Sequence, residues 1–119
     1  VRFFFSGSQP ERCRLLEQIL LLPARRSCRL RFRYRTTAVP CPSGLSWSLA
    51  RFSDGAALPV DGHDLCGESG SEAELRLSTP PQESLARLSL EYARRPGTTR
   101  IEGELQLTGV TLTCEPQNP

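Results

Sequence analysis

Four arginines on alternate positions, Arg29, Arg31, Arg33 and Arg35, are the polar feature of this sequence best suited to chemistry. On an extended strand they share one side at a spacing of about 7 Å. There they repel one another unless opposite charges lie nearby. Glu72, Glu74, Glu91, Glu102 and Glu104 occupy the outward phase of other segments. The preferred reading is therefore a solvated sheet face of cross-strand Arg–Glu pairs, each worth about 0.2–1 kcal/mol. The alternative is a surface for an anionic glycan or a partner protein, because a guanidinium grips carboxylates bidentately where an ammonium cannot. Trp47, the single tryptophan, is a second candidate, as an aromatic ring that a ligand could meet. Its strand phase is that of Leu45 and Leu49, which favours core packing.

The signs of catalysis are thin, and no enzyme is expected. The single histidine, His63, sits in the turn-like run Asp61-Gly62-His63-Asp64. Ser53, Ser69 and Ser71 are near it in sequence, but no Gly-x-Ser-x-Gly elbow is present, and a histidine without a positioned nucleophile does no acyl chemistry. Asp54, Asp61 and Asp64 suit ordinary turns better than a cation site. There is no glycine-rich phosphate loop and no basic-aromatic nucleic-acid motif, so neither a cofactor nor a nucleic-acid partner is implied.

Five cysteines, Cys13, Cys28, Cys41, Cys66 and Cys114, include no Cys-x-x-Cys pair. With one histidine they make a poor zinc set. The odd count rules out complete internal pairing and fits either redox setting. The preferred reading is five ordinary thiols, several of them buried. Cys41 and Cys66, both in loop-like sequence around the central strand, are the pair to test for a disulfide.

All 15 basic residues are arginine and the 13 acids leave a net charge of +2, too little to drive nucleic-acid binding. A length of 119 residues supports one core. The longest apolar run, Ile19 to Leu22, is too short to cross a bilayer, so no membrane insertion is expected. The chain opens on Val1 and has no methionine, which suggests a processed protein or a domain of a larger parent chain.

Elements that would carry these residues follow from period-two patterning. Segment 28–35 sets Leu30, Phe32 and Tyr34 against the four arginines. Segments 44–52, 72–78, 85–93 and 101–107 alternate in the same way. After Leu107 the apolar phase slips to Val110 and Leu112, as a β-bulge at Thr108-Gly109 would cause. Phe3, Phe4 and Phe5 read as a strand covered on both faces. Segment 14–22 reads as either a short amphipathic helix or a strand. Six to eight such strands make an all-β, antiparallel two-sheet β-sandwich over residues 1–114, with 115–119 as a tail.

The order of these pieces resembles the jelly-roll carbohydrate-binding modules of galactose-binding-like topology. Phe3-Phe4-Phe5-Ser6-Gly7 matches the family's opening strand, and Gln18 to Ala24 its second strand. Cys28 to Arg35 matches its alternating third strand, and Gly103 to Leu112 its closing one. The resemblance makes 14–22 a strand. It also implies a non-catalytic carbohydrate-binding-like accessory domain of a larger bacterial protein, in an extracytoplasmic setting. Its ligand would be a polysaccharide, bound through Arg29, Arg31, Arg33, Arg35 and Trp47. The alternative is a structural or protein–protein module on the same fold, with another protein surface as partner. The family's closing Asp-Asn is Thr108-Gly109 here, so a structural calcium at that position is not expected.

Overall fold

The computed structural model describes residues 1–60, 64–67 and 72–116. These form eight strands: β1 (Arg2–Ser6), β2 (Arg12–Leu22), β3 (Arg26–Thr37), β4 (Leu45–Arg51), β5 (Ala57–Leu58), β6 (Glu72–Ser78), β7 (Ser84–Ala93) and β8 (Glu102–Pro116). They build two four-stranded sheets in the orders β1-β8-β3-β6 and β2-β7-β4-β5. All strand pairings are antiparallel. The inner faces close over one core to give a β-sandwich. No helix among the described residues is long and apolar enough to cross a membrane.

The third strand follows its sequence pattern closely. Cys28, Leu30, Phe32 and Thr36 are buried, and Tyr34 is half-buried. Arg31, Arg33 and Arg35 are exposed on the other side, with Arg29 half-buried beside them. Phe32 packs at a tilt against Trp47 at 5.6 Å between ring centres, joining the two sheets. Such rings dominate the burial that holds sandwiches together, at about 1.5–3 kcal/mol for each large apolar side chain.

Segment 14–22 is a strand. Its outward positions Ile19 and Leu21 are apolar yet exposed, which hides the alternation. A register shift between Arg14 and Leu16 adds one further residue. The phase slip in β8 is also a bulge. Arg31 faces Thr111 and Arg33 faces Thr108, so β8 spends one more residue than β3. Gly109 sits there at φ 64°, a conformation that costs glycine little. At its end β8 runs two residues into the expected tail, with Glu115 opposite Ser27 and Pro116 opposite Arg26.

Two departures concern the first strand and the cysteines. Phe4 is not covered: it is 75% exposed, while Phe5 is buried against Tyr92. Strict alternation holds in β1, and three successive phenylalanines merely conceal it. Four of the five cysteines are paired. Cys41 joins Cys66 across 25 residues, and Cys28 joins Cys114 across 86. Cys28 and Cys114 are directly facing partners on β3 and β8 with Cα atoms 4.0 Å apart, so register alone brings the thiols together. Cys13 is free. The preference for five ordinary thiols is thereby corrected.

Candidate functional site

The outer face of the β1-β8-β3-β6 sheet collects the polar chemistry of the molecule. Pairing register arranges it in rows that cross the strands. Phe4, Glu104 and Thr37 form one row, and Arg2, Gln106 and Arg35 the next. Thr108, Arg33 and Glu72 follow, then Thr111, Arg31 and Glu74, then Thr113, Arg29 and Arg76. Rows lie about 7 Å apart and neighbouring strands about 4.8 Å apart. The four arginines of β3 therefore form a column with β8 on one side and β6 on the other.

That column is electrostatically divided. Glu74 lies 3.7 Å from both Arg29 and Arg31 and 3.6 Å from Arg76, so one carboxylate serves three guanidinium groups. This half behaves as the solvated Arg–Glu face that the sequence suggests. Among the described residues, no carboxylate lies within ion-pair distance of Arg33 or Arg35, although Glu72 is the cross-strand partner of Arg33. Arg33 and Arg35 instead line a shallow depression of about 180 Å³ with Tyr34, Gln106 and Thr108.

Beside it, Phe4 stands among hydrogen-bonding groups. Arg2 pairs with Glu104 at 3.5 Å. An open hollow of about 540 Å³ is lined by Phe4, Ser6, Thr37, Ala38, Glu102 and Glu104. Gly103 makes the close packing behind it possible. At φ 129°, a Cβ here would run into the Thr37 carbonyl oxygen. From the Arg33 row to the Phe4 row the surface extends about 13 Å along β3. It offers an exposed aromatic ring, amide, carboxylate and hydroxyl groups, and two guanidinium groups with no carboxylate partner among the described residues.

Trp47 does not join this surface. Its ring lies between the sheets against Phe32, half-buried, because its phase on β4 is inward. The exposed ring of this sheet face is instead Phe4, and the sequence signal that would have found it is the alternation running through β1. Tyr92 is likewise enclosed, and its hydroxyl accepts a hydrogen bond from the Ile101 N–H.

Other candidates are occupied by structural tasks. The Asp64 carboxylate accepts the N–H groups of Ser43 and Gly44 at 2.7 and 2.8 Å, with Ser43 Oγ at 2.8 Å. Asp54 accepts the Ala56 N–H and faces Arg51, and these contacts, the backbone one foremost, hold its carboxyl below the usual range. Asp61, His63, Ser69 and Ser71 lie outside the described residues. A cleft of about 1050 Å³ at one end of the sandwich is lined by Glu11, Arg94 and Arg100 among others. There Glu11 lies 3.0 Å from Arg94 and 3.9 Å from Arg100, so these three charges engage one another.

No protein-family model matches the chain, and no curated protein or solved structure is significantly similar to it.

Proposed function

We propose that this chain is a non-catalytic, carbohydrate-binding-like domain that receives a polysaccharide on the outer face of the β1-β8-β3-β6 sheet. The observation that carries the reading is Phe4, 75% exposed in the row next to Arg2, Gln106 and Arg35. A solvent-facing ring offers a flat apolar surface to the C–H face of a pyranose. The flanking amide, carboxylate and guanidinium groups can hydrogen-bond ring hydroxyls and so fix orientation. Arg33 and Arg35, without a carboxylate partner among the described residues, favour glycans that carry carboxylate or sulfate groups. The openness of the surface suits a chain lying across it. The resemblance to jelly-roll modules appended to larger bacterial proteins points the same way.

The test is electrophoresis through gels containing neutral or acidic polysaccharide. The expected result is retardation by an acidic polysaccharide that is lost in Phe4→Ala. Equal retardation of Phe4→Ala and the unaltered chain would remove the reading.

A second reading, a protein–protein module without a glycan ligand, is favoured by a different observation. Ile19, Leu21, Leu85 and Phe52 are all exposed on the outer side of the β2-β7-β4-β5 sheet, with Arg87 5.5 Å over the Phe52 ring. Contiguous apolar surface of this kind marks contact sites. Under that reading Leu21→Ser and Leu85→Ser abolish partner capture, and no polysaccharide is retained.

A further inference from the structure

We propose that β6 pairs antiparallel with β6 of a second copy of this chain, joining the two β1-β8-β3-β6 sheets edge to edge into one. This goes beyond the glycan reading and does not depend on it.

The first observation is the state of the strand. β6 lies at the sheet edge opposite β1, with β3 as its one paired neighbour among the described residues. The side on which its free groups point follows from Thr79. The Thr79 N–H donates to the Arg26 carbonyl oxygen at 2.9 Å and so points to β3. Main-chain groups alternate sides along a strand. Those of Leu77, Leu75 and Ala73 therefore point to β3, and those of Ser78, Arg76, Glu74 and Glu72 to the open side. Edge strands are commonly guarded by proline, by a bulge or by charge. β6 runs for seven residues without a proline or a register shift, and its charges are of both signs.

The second observation is that β6 complements itself. Two such edges bond through residues whose groups point outward. Three registers centred on the strand achieve this: Glu74 opposite Glu74, Arg76 opposite Arg76, or Glu74 opposite Arg76. The first two set like charges face to face, which is unfavourable. The third sets Glu74 against Arg76 twice, about a two-fold axis at Leu75, and brings Glu72 opposite Ser78. It is also the register that covers β6 from end to end. Such a contact is isologous, each residue meeting its partner once in each direction.

The strand's own sheet leaves room for that carboxylate. Arg29 and Arg76 face each other across the β3–β6 ladder and share Glu74 with Arg31. The Arg76 side chain is 71% exposed. Glu74 of the second copy would stand directly opposite it, on its open side. An unrelated extended strand would need the same spacing of acid and base, which β6 already carries.

Sedimentation velocity over a concentration series, up to the solubility limit, reads the oligomeric state, and amide exchange reads the edge. The expected result is a monomer–dimer equilibrium, with slower exchange at Glu74 and Arg76 in concentrated than in dilute protein. Arg76→Glu sets two acids face to face and should raise the dimer dissociation constant roughly ten-fold or more. Arg76→Pro removes a main-chain donor that points away from β3, so no ladder bond is lost. It should abolish the dimer with little change in melting temperature. Glu74→Arg should also be monomeric by itself. Mixed with Arg76→Glu it should form a mixed dimer, because each copy then meets only opposite charges. The proline variant carries the test should Glu74→Arg fold poorly. Phe4→Ala should dimerise as the unaltered chain does, which separates this proposal from the glycan reading. A chain that stays monomeric throughout the series, exchange protection confined to another edge, or a dimer that persists in Arg76→Pro would each overturn it.

Discussion

Phe4 faces Glu104 across the β1–β8 ladder, its ring turned to water while Phe5, the next residue, is shut in the core. Arg2 reaches the same carboxylate from the same strand at 3.5 Å. An aromatic ring, a carboxylate and a guanidinium are thus set side by side by strand pairing alone, with no loop involved. Phe4→Ala should change thermal stability little, within about 0.5 kcal/mol, because the ring covers almost nothing. Polysaccharide retention should be lost. A thermal melt run beside affinity electrophoresis checks both halves.

The divided arginine column makes the two ends respond differently. Replacing Arg33 and Arg35 by glutamine should abolish retention by an acidic polysaccharide without lowering the melting temperature. Replacing Glu74 by glutamine strips three arginines of their shared carboxylate. The pairs are partly exposed, so the cost is about 1 kcal/mol, or roughly 4 °C in melting temperature. Retention should survive in Glu74→Gln. The same outcome in both variants would show that the column is one structural unit.

The Cys28–Cys114 bridge closes a loop spanning 86 positions. On the chain-entropy account its removal costs about 4–5 kcal/mol, and removal of the Cys41–Cys66 bridge, spanning 25 positions, somewhat less. Urea unfolding of Cys28→Ala/Cys114→Ala and Cys41→Ala/Cys66→Ala should give midpoints in that order, the first pair the lower.

Burial pushes the Cys13 thiol above its ordinary value of 9.0. A raised value means that the neutral form is favoured in the fold. Its contribution to stability is constant below the ordinary value and declines as pH rises beyond it. At pH 7.5 alkylation of the folded protein by iodoacetamide should be slower than that of the urea-unfolded chain with its disulfides intact. Mass spectrometry of timed samples measures it.

How much of this was legible in the sequence depends on whether one strand face was polar. β3 declared itself because arginine alternates with Leu30, Phe32 and Tyr34, and burial follows that pattern. β2 did not, since Ile19 and Leu21 put apolar groups on the wet side and the extra residue near Leu15 breaks the period. Phe4 was hidden for the same reason, between two phenylalanines that turn inward. The bulge at Gly109 could be read from the slip between Leu107 and Val110. The Cys28–Cys114 bridge could not, because it needs the register of two strands far apart in the chain. Cys41 and Cys66 could be singled out because loop-like sequence holds both. The split of the arginine column was also invisible, as it depends on which glutamate of β6 leans toward which row.

The surplus residue at the β8 bulge has a consequence for the whole closing strand. Up to Thr108 the even-numbered side chains look outward, and from Val110 onward they look inward. Forcing Gly109 into the regular ladder, with the bulge lost and the residue kept, would cancel that inversion. Thr111 and Thr113 would be driven between the sheets, while Leu112 and Cys114 would swing into solvent, taking one half of the long-range crosslink with them. A single glycine thus sets the reading frame in which seven later residues find their side of the wall.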